Sequence, residues 1–337
     1  MIRVTAILVF ILILSGCGSK NEQRVASRTG SERIPILIDS DANNELDDQH
    51  AIAYALASQD TFNIVGITVN NTRGGDGIEG QYKEALRVMQ LFNEANRIPL
   101  LKGATGSYSD IAGHVNESDF DGKEAVDFII DQARKDHNGK LVLVPVGKLT
   151  NIALALTKAP DIVDRVRIVW LGSNFPDPGE YNLDNDTTAI NPVINTGVDF
   201  EMVVVRWGKG TGSHSVSVSK EMIETKLKGR GPTASSPTTG RHGGEFSNFG
   251  DYSVNLFSHI KLEGDPPSRA LYDVVALAIV KNPAWGVKTK MPPSRLKGYE
   301  WVPSDSTNQN AWVWDNFFRD PILTDFFNVL ESSGSQR

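Results

Sequence analysis

Short apolar runs alternate along the chain with longer segments in which apolar residues recur at helical spacing. The short runs predict strands at 36–38, 62–72, 98–101, 140–146, 166–171, 201–205 and 310–314. Helical spacing predicts helices at 46–56, 81–92, 124–134, 149–156, 269–280 and 322–330. Strands that are hydrophobic throughout suit a parallel sheet that is buried on both faces. The alternation therefore predicts a single α/β domain, in which a doubly wound, mostly parallel sheet is flanked by helices.

Two stretches do not follow this alternation. Residues 172–191 predict a long polar loop. Residues 228–250 are too rich in Gly, Ser, Thr and Pro to predict a regular element, and suit either a mobile lid or an insertion without a role. With these stretches included, the predicted domain covers residues 34–331.

The first strand leads into a crowded acidic loop. The acidic residues that follow the apolar run 36–38 are Asp39, Asp41, Glu45, Asp47 and Asp48. Asp47 and Asp48 fall in the first turn of the next helix, where the helix dipole favours negative charge. Like charges this close repel one another, and a bound cation is the simplest way to hold them together. The alternative is an acidic helix cap in a solvated loop.

The N-terminal segment has the pattern of an export signal. Residues 1–16 contain an early Arg, an apolar core and small residues just before Cys17, and the segment resembles the lipobox of bacterial lipoproteins. Cys17 is the only cysteine of the sequence, so an internal disulfide and a thiolate metal site are excluded. We expect residues 1–16 to be a lipoprotein signal peptide, Cys17 to carry lipid, and residues 17–33 to form a flexible tether. The protein would then be exported and lipid-anchored to a bacterial membrane, on its periplasmic or cell-surface face.

Composition narrows the class of partner. The sequence has 34 Lys and Arg against 41 Asp and Glu, a net charge of −7, which argues against nucleic acid as a general partner. A hydrophobic fraction of 40% is typical of a globular protein rather than a disordered one. A small neutral ligand is compatible with both values.

Taken together, the motifs at the predicted strand ends resemble those of the nucleoside hydrolase family, the calcium-dependent N-ribosyl hydrolases. Asp39-Ser40-Asp41 and Asp47-Asp48 match the acidic ends of the family's DxDPGxDD motif. Between them, Ala42-Asn43-Asn44-Glu45 replaces the Pro-Gly and is two residues longer. The loop beside the acidic residues is therefore expected to follow a different path from that of the family.

Three later segments carry the same resemblance. The segment LVPVGKLTNIALAL, which begins at Leu143, is similar to the family's VPTGGLTNIA, and EYN at Glu180–Asn182 is similar to its ribose-binding EFN. Tyr272-Asp273 takes the place of a late His-Asp pair whose Asp binds calcium. The Asp is retained and the His is not.

The resemblance implies a Ca²⁺ site and a ribose site. The metal ligands would be the side chains of Asp41, Asp48 and Asp273 and the main-chain carbonyl of Val146. This all-oxygen ligand set favours Ca²⁺ over Mg²⁺. The residues implied to hold the ribose are Asp47, Asn70 or Asn71, Glu180 and Asn182. Asp39 is expected to organise the loop, and the role of Glu45 stays open.

The activity implied by the resemblance is hydrolysis of the N-glycosidic bond of ribonucleosides. A calcium-bound water would attack the sugar while Asp41 takes its proton as general base. Tyr272 stands where the family has a His that helps to protonate the leaving base, and a tyrosine of ordinary pKa is a weak donor. His242, in the Gly-rich segment, is either a replacement acid or an exposed loop residue. His50, His114 and His214 are interpreted as structural or solvent-facing, and a homo-oligomer is possible because the family forms dimers and tetramers.

Two other functions are compatible with parts of the sequence. The segment ILIDSD resembles the strand-end DxD of phosphohydrolases of the haloacid dehalogenase type, which would use Asp39 as nucleophile with Mg²⁺ and a downstream Lys. That function would leave Asp273 and the EYN segment unexplained. The second is a lipid-anchored protein that binds a nucleoside or ribose without turnover.

Overall fold

An eight-stranded sheet runs through the middle of the protein, whose computed structural model describes residues 33–335. The strands are β1 (Ile34–Ser40), β2 (Phe62–Val69), β3 (Leu100–Lys102), β4 (Leu141–Pro145), β5 (Val166–Leu171), β6 (Asp199–Val203), β7 (Ser217–Ser219), β8 (Thr238–Thr239), β9 (Glu245–Phe246), β10 (Ser268–Ala270), β11 (Gly286–Lys290), β12 (Ser294–Lys297), β13 (Glu300–Pro303) and β14 (Ala311–Phe317). The α-helices are α1 (Asp47–Ala57), α2 (Gly77–Leu91), α3 (Tyr108–Ile111), α4 (Lys123–Arg134), α5 (Thr150–Lys158), α6 (Tyr181–Asn185), α7 (Ile190–Asn195), α8 (Lys220–Lys226), α9 (Phe249–Ser258), α10 (Tyr272–Lys281) and α11 (Arg319–Ser332).

The order of the strands places a crevice at the centre of the sheet. The order is β11-β14-β6-β5-β4-β1-β2-β3, and every neighbouring pair is parallel except β11 and β14. Because β1 lies between β2 and β4, the chain winds outward in opposite directions on either side of the β1–β4 pair. In such sheets ligands bind beyond the carboxyl ends of the strands at this reversal. The predicted doubly wound α/β fold is confirmed.

The sheet is buried on both faces, as its apolar strands require. Ile36 and Ile38 pack into one apolar cluster and Leu37 into a second, because successive strand residues point to opposite faces. All three side chains are fully buried. Helix packing on both faces therefore fixes β1, and with it the acidic residues at its end.

Two local predictions were wrong. Residues 228–250 contain the short antiparallel pair β8–β9 and the start of α9, whose first residue is Phe249. The hairpin turn uses Gly243 and Gly244, which both have positive φ, and the side chain of Asn248 caps α9 by accepting the N–H of Asp251. Residues 172–191, predicted as a polar loop, contain α6 and the start of α7.

The helix predicted at 269–280 begins later than expected. Ser268–Ala270 forms β10, which pairs antiparallel with β7, and α10 starts at Tyr272. Arg269 is therefore a strand residue that pairs with Val218. Sequence periodicity missed this because the strand pairing spans some fifty residues.

Helices α1 and α10 are joined through α11. Asp325 of α11 accepts hydrogen bonds from the Tyr54 hydroxyl of α1 and from Nζ of Lys281, at the end of α10, the latter at 2.7 Å. One carboxylate thus holds two helices at the ends remote from their acidic first turns. Within residues 33–335, no helix has both the length and the apolar character needed to cross a membrane. The predicted signal peptide, Cys17 and nearly all of the tether lie outside the described residues.

A buried ion-pair group holds the far edge of the sheet, and Glu201→Gln is expected to destabilise it. The Glu201 carboxylate accepts two 3.0 Å bonds from Arg167, one of 2.8 Å from Lys288 and one of 2.6 Å from the Trp314 indole. Burial alone would raise the pKa of Glu201, but these partners outweigh it and hold the pKa below its usual value. We expect the substitution to lower the free energy of unfolding at pH 7 by about 3 kcal/mol, measured by urea denaturation.

The pH dependence gives this prediction its control. A carboxyl with a depressed folded-state pKa stabilises above its unfolded value and loses that contribution as pH falls through the folded value. The difference between the original protein and Glu201→Gln should therefore shrink below about pH 4.5. The same change at the exposed Glu300 should have no measurable effect. A difference that persists unchanged in acid would contradict the assignment.

Candidate active site

A cavity of about 190 Å³ opens beyond the carboxyl ends of β1 and β4. It collects most of the residues singled out by the sequence. Those that line it are Asp41, Glu45, Asp47, Asp48, Val146, Glu180, Asn182, Tyr272 and Asp273. The residues arrive from two strand ends and from the N-termini of α1, α6 and α10. The fold therefore brings together segments that are more than 200 residues apart in the sequence.

Three carboxylates lie together on the floor of this cavity. Oxygen atoms of Asp47, Asp48 and Asp273 lie within 4.8 Å of one another, and the residues are 7%, 2% and 2% exposed. Burial, and then the neighbouring carboxylates, raise the pKa of all three groups. Each sits in the first turn of a helix, whose dipole offsets part of the repulsion. An all-oxygen group of buried carboxylates has the ligand chemistry that fits a hard divalent cation.

Asp41 lies beside this group rather than inside it. Its Oδ2 accepts a 2.6 Å hydrogen bond from the Thr72 hydroxyl, and the residue is 1% exposed. Burial raises its pKa, and the charges of Glu180 and Asp39 add to the effect. The structure thus brings Asp47, which the resemblance assigned to the sugar, into the tight group, and holds Asp41 next to it.

The segment from Glu180 to Asn182 is held rigidly against β4. The Glu180 carboxylate accepts the backbone N–H groups of Ser173, Asn182 and Leu183 at 2.7–3.0 Å. Glu180 has φ of 152°, a conformation that a non-glycine residue adopts only when its surroundings impose it. The Asn182 amide donates to the carbonyl of Val146 at 2.9 Å, so that carbonyl keeps one lone pair for another partner.

Asp39 supports the loop and does not line the cavity. Its carboxylate is fully buried and accepts hydrogen bonds from Thr68 at 2.6 Å, Asn151 at 2.7 Å and Asn70 at 3.0 Å. A carboxylate that is fully buried among three donors, and that does not line the cavity, cannot attack the phosphorus atom of a substrate bound there. The prediction that Asp39 organises the loop agrees with these contacts, and its use as the nucleophile of a phosphohydrolase does not.

Asn70 and Asn71 lie behind the cavity rather than in its lining. Both side-chain oxygens are buried without a partner among the described residues. A Cβ added at Gly147 would lie 2.7 Å from the Asn70 amide and 3.0 Å from Asp41, so only glycine permits this close packing. The Asn70 amide donates to Asp39 at 3.0 Å, and neither Asn70 nor Asn71 is among the residues that line the cavity.

Tyr272 lines the cavity, and the structure pairs it with His214, for which the sequence predicted no role in the site. Nδ1 of His214 lies 2.8 Å from the Tyr272 hydroxyl. Burial, with a smaller contribution from Asp47, raises the pKa of Tyr272 above its usual range, so the phenol stays protonated. His214 was interpreted as structural or solvent-facing, because sequence spacing carries no sign of a contact across 58 residues.

His242 is not brought into this cavity. Its ring stacks on His259 with centroids 4.5 Å apart, and it faces a neighbouring cavity together with Asp76 and Arg241. His50, also interpreted as structural, is fully buried between Leu46, whose carbonyl lies 2.6 Å from its Nδ1, and Ser253. Burial lowers the pKa of His50 to about 4, so the neutral ring anchors the start of α1.

Two further features of the cavity were not predicted. Glu45 forms an ion pair with Arg269, and both residues line the cavity. Trp207, next to a Gly-rich loop, also lines it and is 63% exposed. Within the apolar segment 269–280, Arg269 is the one Lys or Arg. This isolated charge was the sign in the sequence that Arg269 has a specific partner.

Comparisons of the sequence and the structure with known proteins identify one family. The model of the family described as inosine-uridine preferring nucleoside hydrolase matches residues 36–310. The chain is 30% identical over 190 residues to the pyrimidine-specific ribonucleoside hydrolase RihA of Shewanella oneidensis, covering 50% of this chain and 58% of that protein. It is 31% identical over 194 residues to the non-specific ribonucleoside hydrolase RihC of Klebsiella pneumoniae, covering 50% of this chain and 60% of that protein. The matches thus span less than two thirds of these relatives.

Solved structures agree on the fold over most of the chain. A plant nucleoside hydrolase superimposes with a TM-score of 0.68 at 19% identity, covering 89% of this chain and 99% of that one. A purine-preferring ribonucleoside hydrolase from Gardnerella vaginalis gives 0.67 at 21% identity, covering 89% and 98%. At these identities the likeness shows the fold alone.

Proposed function

Because the chain belongs to the inosine-uridine preferring nucleoside hydrolase family, we propose that it hydrolyses the N-glycosidic bond of ribonucleosides to free base and ribose. The observation that carries the proposal is the buried group of Asp47, Asp48 and Asp273, with Asp41 beside it, at the reversal of the sheet. Sheets of this topology bind ligands beyond the strand ends at the reversal of strand order, and the carboxylates of this chain lie at that position.

We propose Ca²⁺ as the cofactor. The side chains of Asp41, Asp48 and Asp273, the free lone pair of the Val146 carbonyl and the adjoining Asp47 would hold it. All donors are oxygens, and their number suits the large coordination shell of Ca²⁺. When bound, the ion would lower the pKa of a water ligand and orient the ribose hydroxyls.

The residues of this chain would act around the sugar. Asp41 takes a proton from the attacking water as the water oxygen bonds to the anomeric carbon and the C–N bond breaks, its electron pair passing to the base. Asp47 and Asn182 contact the ribose hydroxyls, with Glu180 fixing the segment that carries Asn182. The excess of carboxylates stabilises the positive charge that develops on the sugar ring.

We propose that Tyr272 donates a hydrogen bond to the departing base. Its hydroxyl remains protonated because burial raises its pKa. If Tyr272 donates to the base, the nearby His214 nitrogen can donate to the tyrosine oxygen and hold it in this orientation. His242 has no part in this arrangement, since it lies outside the cavity.

The proposal is tested by assaying purified protein with inosine, uridine, adenosine and cytidine. We expect calcium-dependent release of ribose from at least one of them, measured as reducing sugar, and loss of release on adding a chelator. The relatives differ in the substrates their names give, so they set no base preference for this chain. Absence of ribose release from all four nucleosides, with calcium present, would contradict hydrolysis. Calorimetric binding without release would instead support the second candidate, a binding protein without turnover.

We also propose that the protein is a lipoprotein. The support is the lipobox-like pattern before Cys17, which lies outside the described residues. Lipid on Cys17 would hold the hydrolase at a membrane surface through residues 17–33. Nucleosides outside the cytoplasm would then be its substrates.

A further inference from the structure

The ion pair between Glu45 and Arg269 joins two places where the sequence departs from the motif it resembles. Glu45 belongs to the longer loop at 42–45, and Arg269 lies three residues before Tyr272, which replaces a histidine. A third segment also contributes, because Arg241 donates a 2.9 Å hydrogen bond to the carbonyl of Glu45. Arg241 thus holds the backbone of Glu45, while Arg269 holds its side chain.

Not every hydrogen-bond donor of the Arg269 guanidinium has a protein partner. Nη2 bonds to Glu45, while Nε is buried and has no partner among the described residues. The side chain is only 13% exposed, so water does not solvate it freely. Because Nε is covered by protein atoms, a ligand in the cavity would meet the positive charge of Arg269 through the part of the side chain that lines the cavity.

Through Glu45, Arg269 is bound to the more exposed part of the cavity lining. Asp48 and Asp273, on the floor, are each 2% exposed, whereas Trp207 and the Glu45 side chain, at 63% and 38%, mark the outer wall. Arg269 pairs with this outer wall. A nucleoside whose ribose lay over the carboxylates would extend its base toward the outer wall. Among the described residues that line the cavity, Arg269 is the one Lys or Arg.

We propose that Arg269, positioned by Glu45, contacts the nucleobase and stabilises it as it leaves. This inference rests on the proposed function. When the C–N bond breaks, its electron pair spreads over the base onto ring nitrogens and exocyclic oxygens. A guanidinium that donates hydrogen bonds to such an acceptor stabilises that charge more in the transition state than in the bound substrate, which raises kcat. Arg269 thereby supplies charge stabilisation at the end of the cavity where the expected histidine is missing.

The test compares a poor leaving group with a good one. Arg269→Met is expected to lower kcat for uridine by about 100-fold, the scale for removing one donor aimed at developing charge. With p-nitrophenyl β-D-ribofuranoside the leaving phenolate needs no such help, and kcat should change by less than about fivefold. Arg295→Met removes one positive charge from an exposed strand and should change neither rate. Thermal unfolding of each variant confirms that it is folded.

Glu45→Gln tests the positioning role. It should change the ratio of the uridine rate to the p-nitrophenyl riboside rate in the same direction as Arg269→Met, but by less. A merely structural ion pair would instead lower both rates together. Equal losses on the two substrates, or no loss on uridine, overturn the inference for Arg269. Failure of the unmodified protein to hydrolyse either substrate would be failure of the proposed function instead.

Discussion

Asp41→Asn is expected to lower kcat for nucleoside hydrolysis by about 1,000-fold, toward the upper end of what a general base contributes. The substitution keeps the shape of the side chain and the acceptor for Thr72, so the fold should be unaffected. What it removes is the only proton acceptor proposed for the attacking water. Steady-state rates with the best of the four nucleosides, at saturating calcium, measure the effect.

The matched control is Asp60→Asn, the same change in an exposed residue just beyond α1. It should leave the rate unchanged. Calcium-dependent thermal unfolding of Asp41→Asn separates its two proposed roles, because a metal ligand contributes to the calcium-induced shift in Tm and a base alone does not. Retention of activity within tenfold would remove Asp41 from the mechanism.

Asp273→Asn is expected to have opposite effects on activity and on stability. Activity should fall by about 1,000-fold or more, because one charged ligand of the proposed metal is lost. In calcium-free buffer, however, the variant should be more stable than the original protein by roughly 1–2 kcal/mol, because three buried like charges become two. Calcium should then raise the Tm of the original protein but hardly change that of the variant.

Asp320→Asn provides the comparison, since Asp320 also lies in the first turn of a helix but is exposed. It should show neither gain in stability nor loss of calcium response. A destabilised Asp273→Asn in the absence of calcium would mean that the carboxylate is held by protein partners and not by repulsion. An unchanged calcium response would place the ion elsewhere.

The parts of the fold that sequence could predict are those set by local pattern. The apolar run 36–38 and the helical spacing after Leu46 are consequences of burial on both faces of a sheet, and both elements were found as predicted. Strand β10 was missed because its three residues become a strand only by pairing with β7. The hairpin within 228–250 was missed because its glycines allow turns of several kinds, and nothing local selects one.

The site divides in the same way. Asp41, Asp48, Val146, Asn182 and Asp273 were named because of the family resemblance, and all five line one cavity because parallel strands bring their ends to one edge of the sheet. Contacts between side chains that are far apart in the sequence could not be predicted from local sequence pattern. Sequence gave no means of telling that Glu45 meets Arg269, that His214 meets Tyr272, or that Asn70 turns toward Asp39.

The carboxylate of Asp325 links the two helices that carry Asp48 and Asp273, two of the proposed metal ligands. It binds α1 near its C-terminal end through Tyr54 and α10 at its last residue, Lys281. Asp48 and Asp273 lie near the opposite ends of these helices, about 9 and 12 Å from Tyr54 and Lys281 at 1.5 Å per residue. We expect a displacement of either helix at Asp325 to change the spacing of these carboxylates, and with it the affinity for the proposed ion. The C-terminal helix α11 would in this way help to set the geometry of the proposed metal site.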